Sequence, residues 1–254
     1  MTALRERIAG TDLGHLDRRE IIDADELEVF DALSARPRAG AAWDPARHRM
    51  RVSGDVAHWS GDLEVRVRRD GIALLEWEGT PSLPHQVIEE LSWAFGRPAD
   101  GDLVPPPLVT AFAAGAAAGV VVLMRGIAVW RSLRRGFSAE ALEAAAAPDA
   151  LVIEADRGWL SAPLLPRLSR SRRGLFFPTA CRRVLAAPGV APIFRAIGEV
   201  VSDPLLQLCV AVEPGRVLVL DALSWRVGRS AGSLHRFEFA TPSLAGLGLG
   251  FKVV

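Results

Sequence analysis

The stretch that decides the fold is Glu213–Ala231, "EPGRVLVLDALSWRVGRSA". Pro214-Gly215 supplies a turn, and "RVLVLD" reads as a strand whose apolar run stops at one acid, Asp221. Beyond a short "ALS" connection, Trp225 opens a second segment in which Arg226 and Arg229 flank Val227 and Gly228. Upstream, "LLQLCVAV" has the same strand character, and downstream "LHRFEFA" and "LGLGFKVV" repeat it. Strand follows strand from Leu205 to the C-terminus, so the C-terminal part is the body of a β-sandwich or barrel.

Toward the N-terminus the pattern changes. "DADELEVFDALS" (Asp23–Ser34) has an Asp cap, early acids and apolar residues at helical spacing. "DLEVRVRRDGIALLEWEG" (Asp62–Gly79) alternates apolar and charged residues, which predicts a hairpin turning at Asp70-Gly71 into a more buried strand. "SLPHQVIEELSWAFG" predicts a helix capped by Ser82, with Pro84 in its first turn and Gly96 closing it. "LVTAFAAGAAAGVVVLM" (Leu108–Met124) carries no charge but falls short of the roughly 20 residues a membrane-crossing helix needs. Its β-branched residues cluster after Gly119, which predicts two short strands joined by a small-residue loop. Helices are expected at "SAEALEAAAA" (Ser138–Ala147) and "PGVAPIFRAIGEVVSDP" (Pro188–Pro204). No internal repeat or linker interrupts the 254 residues, which read as a single domain with residues 1–20 as a peripheral segment. The class is α+β.

Composition narrows the function. Lys252 is the only lysine among 30 basic residues, tyrosine is absent, and 30 acids bring the net charge to zero. A chain selected for nucleic acid would carry excess positive charge. Cys181 and Cys209 form neither a disulfide framework nor a metal motif by spacing, and read as reduced core residues. The N-terminus lacks a signal-peptide apolar core, so the expectation is a cytoplasmic protein with no membrane partner.

Generic chemistry is sparse. "HLD" (His15–Asp17) matches the H-x-D of a two-histidine, one-carboxylate iron site, but it precedes the first helix, and such a short match arises readily by chance. No G-x-S-x-G is present, and "SLAGLGLGF" has no following helix or lysine to make a phosphate loop. Arg167, Arg170, Arg172 and Arg173 form a loop-like basic run that can either grip an anion or simply be solvated.

Several segments, in order, resemble the clavaminate synthase-like and taurine dioxygenase-like iron/2-oxoglutarate oxygenases. "DGIALLEWEGTPSLPHQVIEELSWAFGRP" is similar to the early strand–helix unit of that family. "PPPLVTAFAAGAAAGVVVLMRG" resembles the strand pair around its Gly-Gly-x-Thr turn. "LQLCVAVEPGRVLVLDALSWRVGRSA" resembles the run that carries its distal iron ligand, and "SLHRFEF" the strand whose arginine holds the cosubstrate carboxylate. The resemblance spans residues 20 to 254 and implies a double-stranded β-helix (jelly-roll) core with flanking helices.

The departures are as informative as the matches. Where the family pattern has its distal histidine, this chain has Val227. Only "ADGDLV" (Ala99–Val104) lies where the proximal H-x-D belongs, and the threonine of the Gly-Gly-x-Thr turn appears as Val121. Arg236 occupies the place of the carboxylate-gripping arginine, and a guanidinium can hold a carboxylate without iron; the plainer reading is an ion pair with Glu238 or Asp221.

The resemblance therefore implies a degenerate, metal-free relative, without cofactor. Such a protein would bind a small carboxylated metabolite through Arg226, Arg229 and Arg236, or serve as accessory subunit to an active paralogue, alone or as a homo-oligomer. The alternative is a metal-independent enzyme performing elimination, cyclisation or condensation on an amino-acid-derived intermediate of natural-product biosynthesis. Its acid and base would come from Asp221, His85 or the Asp100/Asp102 pair. A purely structural partner would use Trp77, Trp93, Trp130, Trp159 or Trp225 as interface anchors.

Overall fold

The computed structural model describes residues 18–23, 26, 44–53, 55–78, 84–96, 109–155, 158–176, 183–239 and 251–252. The helix expected at Asp23–Ser34 lies largely outside them, as do Cys181 and all but Phe251–Lys252 of the strand expected at "LGLGFKVV".

The chain begins with β1 (Glu20–Ile22), a short helix α1 (Pro45–His48) and β2 (Arg49–Val52). The expected hairpin at Asp62–Gly79 is instead a helix, α2 (Val56–Asp70), followed by β3 (Ile72–Trp77). Alternation of charge and valine suggested a strand, but Trp59, Leu63 and Val67 sit four residues apart and are buried on one helical face, with Val65 left exposed. Burying three such side chains is worth about 1.5–3 kcal/mol each, well above the few tenths that valine costs a helix. Asp55 caps the start, accepting from the Ala57 N–H at 3.0 Å. Gly71 ends it at φ 74°, where its N–H donates to the Val67 carbonyl at 2.9 Å.

Helix α3 (Pro84–Phe95) is as expected and stops at Gly96, φ 79°. Its buried residues Val87, Leu91 and Phe95 form one stripe. The two strands expected in Leu108–Met124 are one element, β4 (Val109–Arg125). Its ladder to β12 (Trp225–Phe239) breaks where the loop was expected, jumping from Ala114↔Leu234 to Gly119↔Gly232. Gly232 (φ 90°) faces Gly119 there, and a Cβ on Gly232 would lie 2.7 Å from the Ala118 carbonyl oxygen. Small residues let the two backbones close together, so the run continues instead of looping out.

The rest comprises α4 (Gly126–Gly136), α5 (Ala139–Ala144), β5 (Leu151–Ala155), β6 (Gly158–Ala162), β7 (Arg167–Ser169), β8 (Arg172–Arg173), β9 (Arg183–Ala186), α6 (Ala191–Ser202), β10 (Gln207–Val212), β11 (Arg216–Asp221) and β13 (Phe251–Lys252). Helix α4 was not anticipated; Val129, Trp130 and Leu133 bury its inner face. The basic run is a β7–β8 hairpin rather than a loop.

The main sheet runs β10-β4-β11-β3-β2, with β12 along the free side of β4. A second sheet has the order β1-β9-β5-β6 and a third the order β13-β8-β7. One apolar cluster packs α2 and α3 on the β3–β11 half of the main sheet, and another packs α4, α6 and the second sheet on its β10 half. A third occupies the opposite face of the same strands. Phe112 and Leu123, from the two halves of β4, both enter it, so the sheet curls around an interior of its own.

Candidate functional site

The turn between β11 and β12 ties several elements together. The Asp221 N–H donates to the Gly71 carbonyl at 2.8 Å, the Gly126 N–H to the Ser224 carbonyl at 2.7 Å, and the Leu175 N–H to the Leu223 carbonyl at 3.2 Å. Asp221 is 1% exposed, and its carboxylate accepts from the Leu223 N–H at 2.9 Å and from the Ser224 hydroxyl. The carboxylate considered as an acid or base is therefore engaged in shaping a turn.

Val227 follows, opposite Leu123 of β4 and just before a break in the ladder that takes up Gly228 and Arg229. Its side chain packs on the interior cluster, whose members include Leu74, Val121, Leu123 and Leu220. An iron centre of the facial type needs two imidazoles and a carboxylate on one face of the metal. Among the described residues no group of three His, Cys, Asp or Glu side chains is placed to hold a metal ion.

Of the three arginines nominated from sequence, Arg226 and Arg236 do not converge. Arg226 pairs with Met124 at one end of β4, and Arg236 with Phe112 near the other. The Arg236 guanidinium forms an ion pair with Glu238 and lies 6.0 Å from the Phe112 ring centroid. It shares the interior face with Leu234, while His235 stacks on Phe237 on the other face, as strand alternation requires. The side chains of Arg229 and His85 lie outside the described residues, as do Asp100, Asp102, His15 and Asp17. In the basic run, Arg167 and Arg173 both donate to Glu143. Of the tryptophans, Trp130 and Trp225 are buried and Trp93 is exposed.

A group that the sequence did not bring together gathers beside Trp225. A hollow of about 400 Å³ is bordered by His48, Asp70, Arg125, Arg172 and Trp225. Beside it a second hollow, of about 380 Å³, shares His48, Arg125 and Trp225 and continues along Leu205, Leu206 and Leu208. The Arg125 guanidinium lies over the Trp225 ring, 5.0 Å from its centroid. Arg69 donates twice to Asp70, at 2.9 and 2.8 Å, holding that carboxyl below its usual range against the opposing effect of burial. Burial lowers the His48 pKa, and the positive charges of Arg125 and Arg47 reinforce it against Asp70 and Asp44, which favours the neutral imidazole. The site thus pairs a cationic, aromatic wall with an apolar flank, suited to an anion with a hydrocarbon part and without an evident nucleophile.

Residues 125 and 225 meet because β12 starts opposite the end of β4, and His48, at the end of α1, borders the same hollow. One signal was present: Arg125 is the charge that ends the uncharged run Leu108–Met124.

No protein-family model matches the chain, and no curated protein matches it. Solved structures do. The chain is similar to the non-heme iron oxygenase OrfP in complex with Fe (TM-score 0.51, 15% identity, 90% of this chain and 98% of that one). It is likewise similar to AAD-2 in complex with Mn(II) and N-oxalylglycine (TM-score 0.52, 13% identity, 76% and 94% covered). The fold is a double-stranded β-helix. At this identity the likeness is one of fold, and it places the α+β chain in the architecture of the non-heme iron oxygenases. No helix among the described residues is long and apolar enough to cross a membrane.

Proposed function

We propose that the chain is a metal-free relative of the iron/2-oxoglutarate oxygenases that binds a small carboxylate-bearing metabolite and performs no oxygen chemistry. The observation that carries this reading is Val227, set among valine and leucine side chains at the position from which the family resemblance would deliver a histidine. A divalent ion beside such a surface would lose hydration without gaining ligands, a cost of several kcal/mol (order of magnitude). Oxygen activation belongs to the metal, and the protein only tunes it. A balanced, arginine-rich chain with a cationic hollow at the barrel rim retains the means to hold a carboxylate.

The test is anaerobic titration of the full chain with ferrous iron and 2-oxoglutarate, followed by metal analysis and a succinate assay in air. The expected result is substoichiometric iron and no succinate. Iron near one equivalent, or turnover of 2-oxoglutarate, would falsify the reading.

A further inference from the structure

We propose that the two hollows at the barrel rim form one site for an amphiphilic carboxylate, its head on Arg125 and its hydrocarbon part along Leu205, Leu206 and Leu208. This deepens the metabolite-binding reading above, on which it rests for the ligand's charge, and gives that ligand a place and a shape.

The head-group side follows from which charges are already satisfied. Arg69 is bound to Asp70, and Arg68 to Glu64 at 2.9 Å. Arg125, by contrast, meets no carboxylate among the described residues and lies over the Trp225 ring. A guanidinium fixed on an aromatic face keeps its donor edge available and loses little freedom on gripping a carboxylate. Arg125 also precedes α4, whose first turn contributes Ile127 to the polar hollow and Ala128 to the apolar one. The positive end of that helix adds to the same field. Of the acids at the rim, Asp70 is paired with Arg69, and Asp44 caps α1, accepting from the Ala46 N–H at 3.1 Å.

The tail side follows from exposure. Leu205 and Leu206 are 66% and 44% exposed, two adjacent leucines on the rim of one hollow. Scattered apolar residues need no explanation, but a pair beside a fixed cation forms a surface that a hydrocarbon would cover. Trp225, 4% exposed, belongs to the interior cluster and also lines both hollows. The ligand therefore lies beside the Arg125–Trp225 pair, spanning the two hollows, and each hollow falls in the size range of small-molecule sites.

Calorimetric titration of the full chain with acetate, hexanoate, octanoate, octanol and octyl phosphate tests this. Affinity is expected to rise from acetate to octanoate by up to about fourfold per methylene buried. Arg125→Met should weaken octanoate at least tenfold while leaving octanol unchanged, and Arg125→Lys should fall between. Leu206→Ser should flatten the chain-length series. Arg125 is exposed, so these variants are expected to melt as the wild type does. Absence of heat with every probe, a flat series in the wild type, or equal octanoate binding by Arg125→Met would overturn the site. Tighter binding of octyl phosphate than of octanoate would overturn the carboxylate assignment. Iron uptake with the octanoate series intact would sink the metal-free reading and leave this site standing; no iron and no octanoate binding would do the reverse.

Discussion

The backbone N–H of Leu223 donates to the carboxylate of Asp221 at 2.9 Å, inside a turn where both residues are buried. The Ser224 hydroxyl donates to the other carboxylate oxygen. This acid ends the β11 strand, and the turn it holds leads into Trp225 at the start of β12. Replacing it with alanine leaves a buried N–H and hydroxyl without their acceptor, at a cost of about 2–3 kcal/mol. Asp221→Asn, which keeps one acceptor, should cost about 1 kcal/mol. Urea unfolding at constant m-value reads both.

Gly71 makes a second prediction. It sits at φ 74°, and a Cβ there would come within 2.9 Å of Trp225 Nε1. Gly189 has nearly the same φ, 79°, with nothing within 4 Å of its would-be Cβ. Gly189→Ala should therefore cost about 1 kcal/mol, for backbone strain alone. Gly71→Ala should cost about 2–4 kcal/mol, because overpacking against the indole is added. Similar midpoints for the two variants would show that Trp225 is free to move aside.

What was legible in the sequence divides along the range of the interactions. Helix α3 was readable to its last residue, because Gly96 and the Val87/Leu91/Phe95 stripe are local signals. Strands β10 and β11 were readable for the same reason. Helix α2 was misread because Val65 and Val67 alternate with arginines, while the deciding contacts of Trp59 and Leu63 lie across α3 and the main sheet. The continuity of β4 depends on Gly232, more than a hundred residues away. Val227 lies on β12 opposite Leu123 and against the interior cluster, a placement that its Gly-Arg neighbours alone do not state. Arg125, His48 and Trp225 could not be joined from sequence, since nothing local states that the end of β4 faces the start of β12.

Glu143 separates buried from exposed ion pairing in one residue. It accepts from Arg167, whose side chain is 60% exposed, and from Arg173, whose side chain is 9% exposed and whose guanidinium lies 5.9 Å from the Trp130 ring centroid. Arg167→Ala removes a solvated pair and should change stability by less than about 1 kcal/mol. Glu143→Ala strands the enclosed Arg173 guanidinium and should cost about 2–4 kcal/mol. Chemical denaturation of the two variants should separate them clearly; equal effects would mean that water reaches Arg173.

The last prediction concerns pH and His48. Burial first, then the charges of Arg125 and Arg47, lower its pKa in the folded chain, while Asp70 and Asp44 pull the other way. The unfolded chain, with an ordinary histidine, therefore binds a proton that the folded chain refuses. Stability attributable to His48 is complete above the ordinary value near 6.5 and falls as the pH drops from there toward the lowered folded value. The slope for one group cannot exceed about 1.4 kcal/mol per pH unit. His48→Gln, neutral throughout, should lose this component, so its unfolding free energy should fall less than that of the wild type between about pH 7 and pH 5. Parallel curves would mean that the imidazole protonates in place, and that the rim accepts the added charge beside Arg125 without penalty.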